Sequence, residues 1–173
     1  MFKKINWRTT VRTSVIAAVL FCIPVFFYIH FGDYTGSWLL YLGNFLFLVV
    51  LWLHTMAENK KRSKNESILT LVFSGHLTTL AGILLSCVLC FILLVLFVPG
   101  YLAPGIAEKT LTSSPPQVAI GRTNGLSFEI FMAATVVNFS VGSFSSILLP
   151  FYTNRDQTKD RRQPAPLHQK GLQ

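Results

Sequence analysis

The residues with the greatest chemical potential are the cysteines Cys22, Cys87 and Cys90, the histidines His30, His54 and His76, and two asparagines, Asn44 and Asn138, set inside apolar runs. Cys87-Val88-Leu89-Cys90 has the C-x-x-C spacing of a thiol redox pair, and Cys22 sits at a comparable depth in another apolar run. Thiol redox work needs a stabilised thiolate and access to a partner, and an apolar helix provides neither, so these thiols are expected to be small packing residues. His54 and His76 fall near the same end of neighbouring runs, but no carboxylate shares their depth, and two imidazoles fall short of a zinc site. No metal or cofactor is therefore expected, and these histidines read as interfacial. Glu129 opens the last apolar run, where a carboxylate suits a helix N-terminus. Acid–base or nucleophilic catalysis needs converging titratable groups, and none is visible. An enzyme is accordingly not the expected reading.

Stepping from these residues to the segments that carry them, four apolar stretches dominate the chain, roughly 14–31, 38–53, 68–98 and 130–151. Between Ile68 and Val98 there is no Asp, Glu, Lys or Arg. A segment of that kind exceeds the ~20 residues needed to cross a ~30 Å hydrocarbon layer. With 51% hydrophobic residues in 173, the chain has too little polar sequence to hide these runs in a water-soluble core. The expected fold is an all-α integral membrane protein, a bundle of four transmembrane helices. A single domain over 1–152 is expected, with spans at about 14–31, 38–54, 70–98 and 129–152 and an outer loop at 99–127, followed by a disordered basic tail at 153–173. The third run would measure roughly 46 Å as a helix, longer than the hydrocarbon, so its first turns should lie at the interface. Pro24 predicts a kink in the first helix, and the pairs Pro99-Gly100, Pro104-Gly105 and Pro115-Pro116 exclude a long helix from the outer loop.

Charge gives the expected orientation. Lys3, Lys4, Arg8 and Arg12 precede the first run, Lys60, Lys61, Arg62 and Lys64 lie between the second and third, and Arg155, Lys159, Arg161, Arg162 and Lys170 occupy the tail. Short cytoplasmic segments accumulate Lys and Arg, so both termini are expected in the cytoplasm, in the cell membrane, or the inner membrane of a bacterium. Aromatic rings agree: Tyr28, Tyr34, Trp38, Tyr41 and Tyr101 would form an outer belt and Trp7, Trp52 and Tyr152 an inner one. The first run is longer than the apolar core of a secretory signal and lacks a small-residue cleavage site, so it reads as a retained span. The net charge of +8 lies beside apolar segments, which favours anionic headgroups over nucleic acid. Lys60, Lys61, Arg62, Lys64, Arg161 and Arg162 are the candidate lipid contacts.

Two rows of small residues at every fourth position carry the packing expectation: Thr78, Gly82, Ser86 and Cys90 on the third helix, and Ala134, Asn138, Gly142 and Ser146 on the fourth. Lipid is as apolar as leucine, so helices associate through close backbone approach and interhelical hydrogen bonds, which such rows permit. These two rows are expected to pack on one another and make helices three and four the tightest pair, with Asn44 and Asn138 as polar links. Functionally, the expectation is an accessory or scaffold component of a membrane complex, with a protein partner or a second copy of itself. The alternative is a small oligomeric transporter or channel subunit with Asn138 and the 140–146 serines along its path. An enzyme acting on lipid ranks last.

Overall fold

The computed structural model describes residues 6–31, 34–61, 68–98, 101–102 and 125–154, and these are almost entirely helical. α1 spans Trp7–Phe31, a single 3-10 turn at Tyr34–Ser37 leads into α2 at Trp38–Lys61, and α3 spans Ile68–Phe97. The fourth rod is built from three contiguous pieces: α4 at Leu126–Met132, a π-helical turn at Ala133–Val137, and α5 at Asn138–Asn154. Four helices are thus long and apolar enough to cross a membrane.

The helices outrun the apolar windows for a simple reason. Hydropathy marks where lipid can sit, whereas helix persists until its backbone donors and acceptors find other partners. α1 begins at Trp7 because Asn6 caps it, with Asn6 Oδ1 accepting from the Thr9 N–H at 3.3 Å and its carbonyl from the Thr10 N–H at 3.0 Å. Arg8 and Arg12 therefore ride on two polar turns of helix ahead of the apolar part. α2 likewise runs on through Glu58 and Lys60.

Five contacts set the register. Ser14 Oγ lies 3.0 Å from the Thr78 carbonyl and Cys22 Sγ 3.9 Å from Cys90 Sγ, so α1 and α3 run parallel. A Cβ on Gly43 would lie 3.0 Å from the Phe21 ring and its carbonyl oxygen, which pairs α2 with α1 in the opposite direction. A Cβ on Gly75 would come within 2.6 Å of Ser146 Oγ, and one on Gly142 would collide with the Thr79 side chain, so α5 runs antiparallel to α3. Around the bundle the order is α1, α2, fourth rod, α3, with α1 and the fourth rod on opposite corners.

This arrangement corrects the expected pairing. Three of the four residues in the row Thr78, Gly82, Ser86 and Cys90 turn to other helices: Thr78 and Cys90 meet Ser14 and Cys22 of α1, and Gly82 sits against Phe47 of α2. Gly142 and Ser146 of α5 are met instead by Gly75 and Thr79. Nor is the pair of helices three and four the tightest, because α1 packs on α2 and on α3 at least as extensively. A helix rich in small residues carries more than one row at four-residue spacing, and the rows through Gly75 and Thr78 are turned about 60° from one another at 3.6 residues per turn. Each row serves a different neighbour.

The bundle is apolar outside and mixed inside. Val11, Val15, Val19, Ile23, Phe27 and Phe31 form an exposed stripe down α1, and Leu80, Leu84, Val88 and Phe91 are exposed on α3. Ser14, Asn44, His54, Thr78, Thr79, Ser86 and Asn138 are buried together with Phe21, Phe47, Leu51, Leu94 and Ile130. Water would not tolerate so large an exposed apolar surface, whereas hydrocarbon does. Tyr28, expected in the outer aromatic belt, is instead wholly buried beside Gly36, while Trp7, Trp38, Tyr41, Trp52 and Tyr152 are exposed.

Candidate functional site

Two polar groupings occupy the interior. The first is a knot at the end where α1 and α3 begin. His54 of α2 reaches Thr13 of α1 through Nδ1 at 3.2 Å and Thr78 of α3 through Nε2 at 3.3 Å. The Thr78 hydroxyl donates to the Ser74 carbonyl at 2.8 Å, so it accepts from His54, which puts a proton on Nε2. In the neutral tautomer Nδ1 then accepts from the Thr13 hydroxyl. Ser14 Oγ lies within reach of both the Thr10 carbonyl of its own helix, at 2.9 Å, and the Thr78 carbonyl of α3. One imidazole and three hydroxyls thereby fasten three helices.

His54 is therefore buried and bonded between helices, which reading it as an interfacial histidine does not anticipate. The available signal was slight: Thr13-Ser14 and Thr78-Thr79 are hydroxyl pairs at matching depth in two other runs. His76 is half-buried, with Nδ1 2.9 Å from the Val72 carbonyl of its own helix, and His30 is exposed. Among the described residues no group of three His, Cys, Asp or Glu side chains converges on a point that could hold a metal ion.

The second grouping lies nearer the middle of the bundle. Asn138 is 0% exposed and Asn44 is 4% exposed, yet neither the carboxamide oxygen nor the nitrogen of either has a hydrogen-bond partner among the described residues. Ser86 Oγ, also fully buried, and Ser143 Oγ share that condition. This is unlike the threonines and serines around it, which return their protons to their own helix: Thr79 Oγ1 to the Gly75 carbonyl at 2.9 Å, Ser146 Oγ to the Gly142 carbonyl at 2.7 Å, Thr135 Oγ1 to the Phe131 carbonyl at 2.6 Å. Asn44 and Asn138 make no such bond to their own helices, so both amides are left without a partner among the described residues. A buried polar atom left without one costs about 1–3 kcal/mol.

The backbone is irregular beside the same residues. The Asn138 N–H points at the Ala133 carbonyl, five residues back, and closes the π turn over Ala133–Val137. Such turns insert one residue into a helix and are frequent at functional sites. The inserted residue rotates the helix on either side, so Ala134 and Asn138 both remain fully buried across the irregularity.

Of the candidate packing residues, Asn44, Thr78, Gly82, Ser86, Asn138, Gly142 and Ser146 are all buried. Thr78 belongs to the knot, Asn44, Ser86 and Asn138 to the unpaired group, and Gly82, Gly142 and Ser146 to close helix approaches. The thiols divide differently from the C-x-x-C reading: Cys90 faces Cys22 across the α1–α3 seam, while Cys87 is only half-buried. Of the candidate lipid contacts, Lys60 is exposed near the end of α2 and Lys61 closes that helix, while Arg62, Lys64, Arg161 and Arg162 lie outside the described residues, as do most of the 99–127 loop and the tail beyond Asn154. No family model, curated protein or solved structure matches the chain. The geometry alone carries the functional reading.

Proposed function

We propose that this chain is a multi-pass membrane protein with both termini in the cytoplasm, acting as an accessory or scaffold component of a membrane complex. The observation that supports this most is an uncharged interior with large side chains buried in it. Tyr28, Phe21, Phe47, Leu51, Leu94, Leu126 and Ile130 are fully buried between the helices. No Asp, Glu, Lys or Arg interrupts the stretch from Ile130 to Asn154, and Asp33 is the sole one between Thr13 and Ala57. A bundle without an intramembrane charge is suited to holding other components in place rather than to ion-coupled transport. Contacts with a partner then fall to the outer loop and the tail, and the cations around residues 60–64 and 161–162 hold the connection between α2 and α3 and the tail on anionic lipid at about 1 kcal/mol each.

The test is purification from native membranes at the natural expression level. A partner should co-purify in fixed stoichiometry with the full chain and be lost when 153–173 is deleted or 103–124 is replaced by a flexible linker. Retention of every partner by both variants sinks the scaffold role. A second reading, a small oligomeric transporter or channel subunit, is favoured by the unpaired amide of Asn138 in the bundle interior. It requires that Asn138→Leu abolish flux in proteoliposomes while the protein still inserts and folds.

A further inference from the structure

The unpartnered polar atoms of Asn44, Ser86 and Asn138 fall within about one helical turn of each other in depth. At one level Gly82 of α3 lies against Phe47 of α2, and because the two helices are antiparallel, one turn further along α3 brings Ser86 level with Asn44. Thr79 of α3, Gly142 of α5 and Leu51 of α2 share another level, so one turn back along α5 brings Asn138 level with Phe47, a turn in depth from Asn44 and Ser86. All three residues are buried, on three different helices that enclose the same interior, and the π turn at Ala133–Val137 passes the level of Asn44 and Ser86. Between them they present two amide nitrogens, two amide oxygens and one hydroxyl, none with a protein partner among the described residues.

We propose that Asn44, Ser86 and Asn138 line a buried site for a neutral ligand that both donates and accepts hydrogen bonds, a small hydroxyl- or carboxamide-bearing solute or water. The chemistry of the donor set decides the class. Two carboxamides and a hydroxyl offer donors and acceptors in nearly equal number, which matches a molecule with both functions. A cation would need more oxygen ligands and a compensating negative charge, and an anion a positive one. Neither charge is available, since α1 beyond Arg12, α2 before Glu58, all of α3, and the fourth rod beyond Glu129 contain no Asp, Glu, Lys or Arg. Buried water commonly fills this role, making two to four hydrogen bonds to polar groups that packing has left over. The site stands apart from the accessory role and requires no passage of the ligand across the membrane.

Water-edited NMR on the full chain in nanodiscs, with asparagine side chains labelled with 15N, separates the two sources, and native mass spectrometry of the same sample detects a retained solute. Magnetisation transfer from water to the Asn44 and Asn138 amides, lost at Asn44 as well in Asn138→Leu, identifies water. A mass adduct on the wild type that disappears in Asn138→Leu or in the smaller change Ser86→Ala, without water transfer, identifies a solute. The wild-type spectra need no variant to fold. Absence of both signals overturns the proposal. So does a thermal midpoint that rises in Asn138→Leu, which marks a truly unpaired amide, or a coupled Asn44→Ala and Asn138→Ala pair without water transfer, which marks two amides bonded directly.

Discussion

Replacing Gly142 by alanine probes a close approach between α5 and α3. The added methyl would collide with the Thr79 side chain and come within 3.1 Å of Leu51 Cδ1. Thr79 cannot swing away freely, because a β-branched side chain has few helix rotamers and its hydroxyl is bonded to the Gly75 carbonyl at 2.9 Å. Overpacking of this kind costs about 1–3 kcal/mol, while glycine to alanine in a helix returns about 1 kcal/mol. The single substitution should therefore destabilise by about 0–2 kcal/mol, too wide a range to decide anything by itself. A double-mutant cycle with Thr79→Ala is decisive. Thr79→Ala alone loses a buried methyl and hydroxyl, but in its presence the Gly142→Ala methyl enters the space the threonine vacated. The double variant should be more stable than the sum of the singles by about 1–2 kcal/mol, well above the ~0.5 kcal/mol scatter of independent sites. Reversible unfolding in mixed micelles, followed by circular dichroism as denaturing detergent is raised, measures all four corners. Additive singles would show that α3 and α5 do not meet at Gly142 and Thr79, and the register derived above would fail.

Three further outcomes follow from the same geometry. His54→Leu should lower stability in that assay by about 1–3 kcal/mol, since it removes two interhelical hydrogen bonds of up to ~1.7 kcal/mol each, and an unchanged midpoint would contradict the knot. In a Cys87→Ala background, catalysed air oxidation should join Cys22 to Cys90, whose sulfurs lie 3.9 Å apart, giving a linked peptide by mass spectrometry. Cys87 should not replace Cys90 in this reaction, and efficient linkage of Cys22 to Cys87 in Cys90→Ala would mean that α3 is rotated. If the proposed orientation is right, tags at both termini and a thiol probe at Lys60→Cys should be protected on one side of sealed vesicles, and a tag accessible from the opposite side would refute it.

The number of apolar helices, their approximate extents and the identity of their small and polar faces are legible in the chain by itself, because hydropathy and four-residue periodicity are properties of local sequence. Runs without charge can cross a lipid layer wherever they lie, and residues such as Gly82, Gly142, Asn44 and Asn138 announce close packing or a need for polar partners before any neighbour is known. Azimuth is another matter. α3 bears two adjacent rows, through Gly75–Thr79 and through Thr78–Gly82–Ser86, and only the assembled bundle assigns the first to α5 and the second to α1 and α2. Partners far apart in sequence have the same origin: His54 finds Thr13 and Thr78, and Cys22 finds Cys90, through the parallel seam of α1 and α3. Interactions between helices depend on rotation about each axis, and rotation is set by the sum of all the contacts around a helix rather than by any residue upon it.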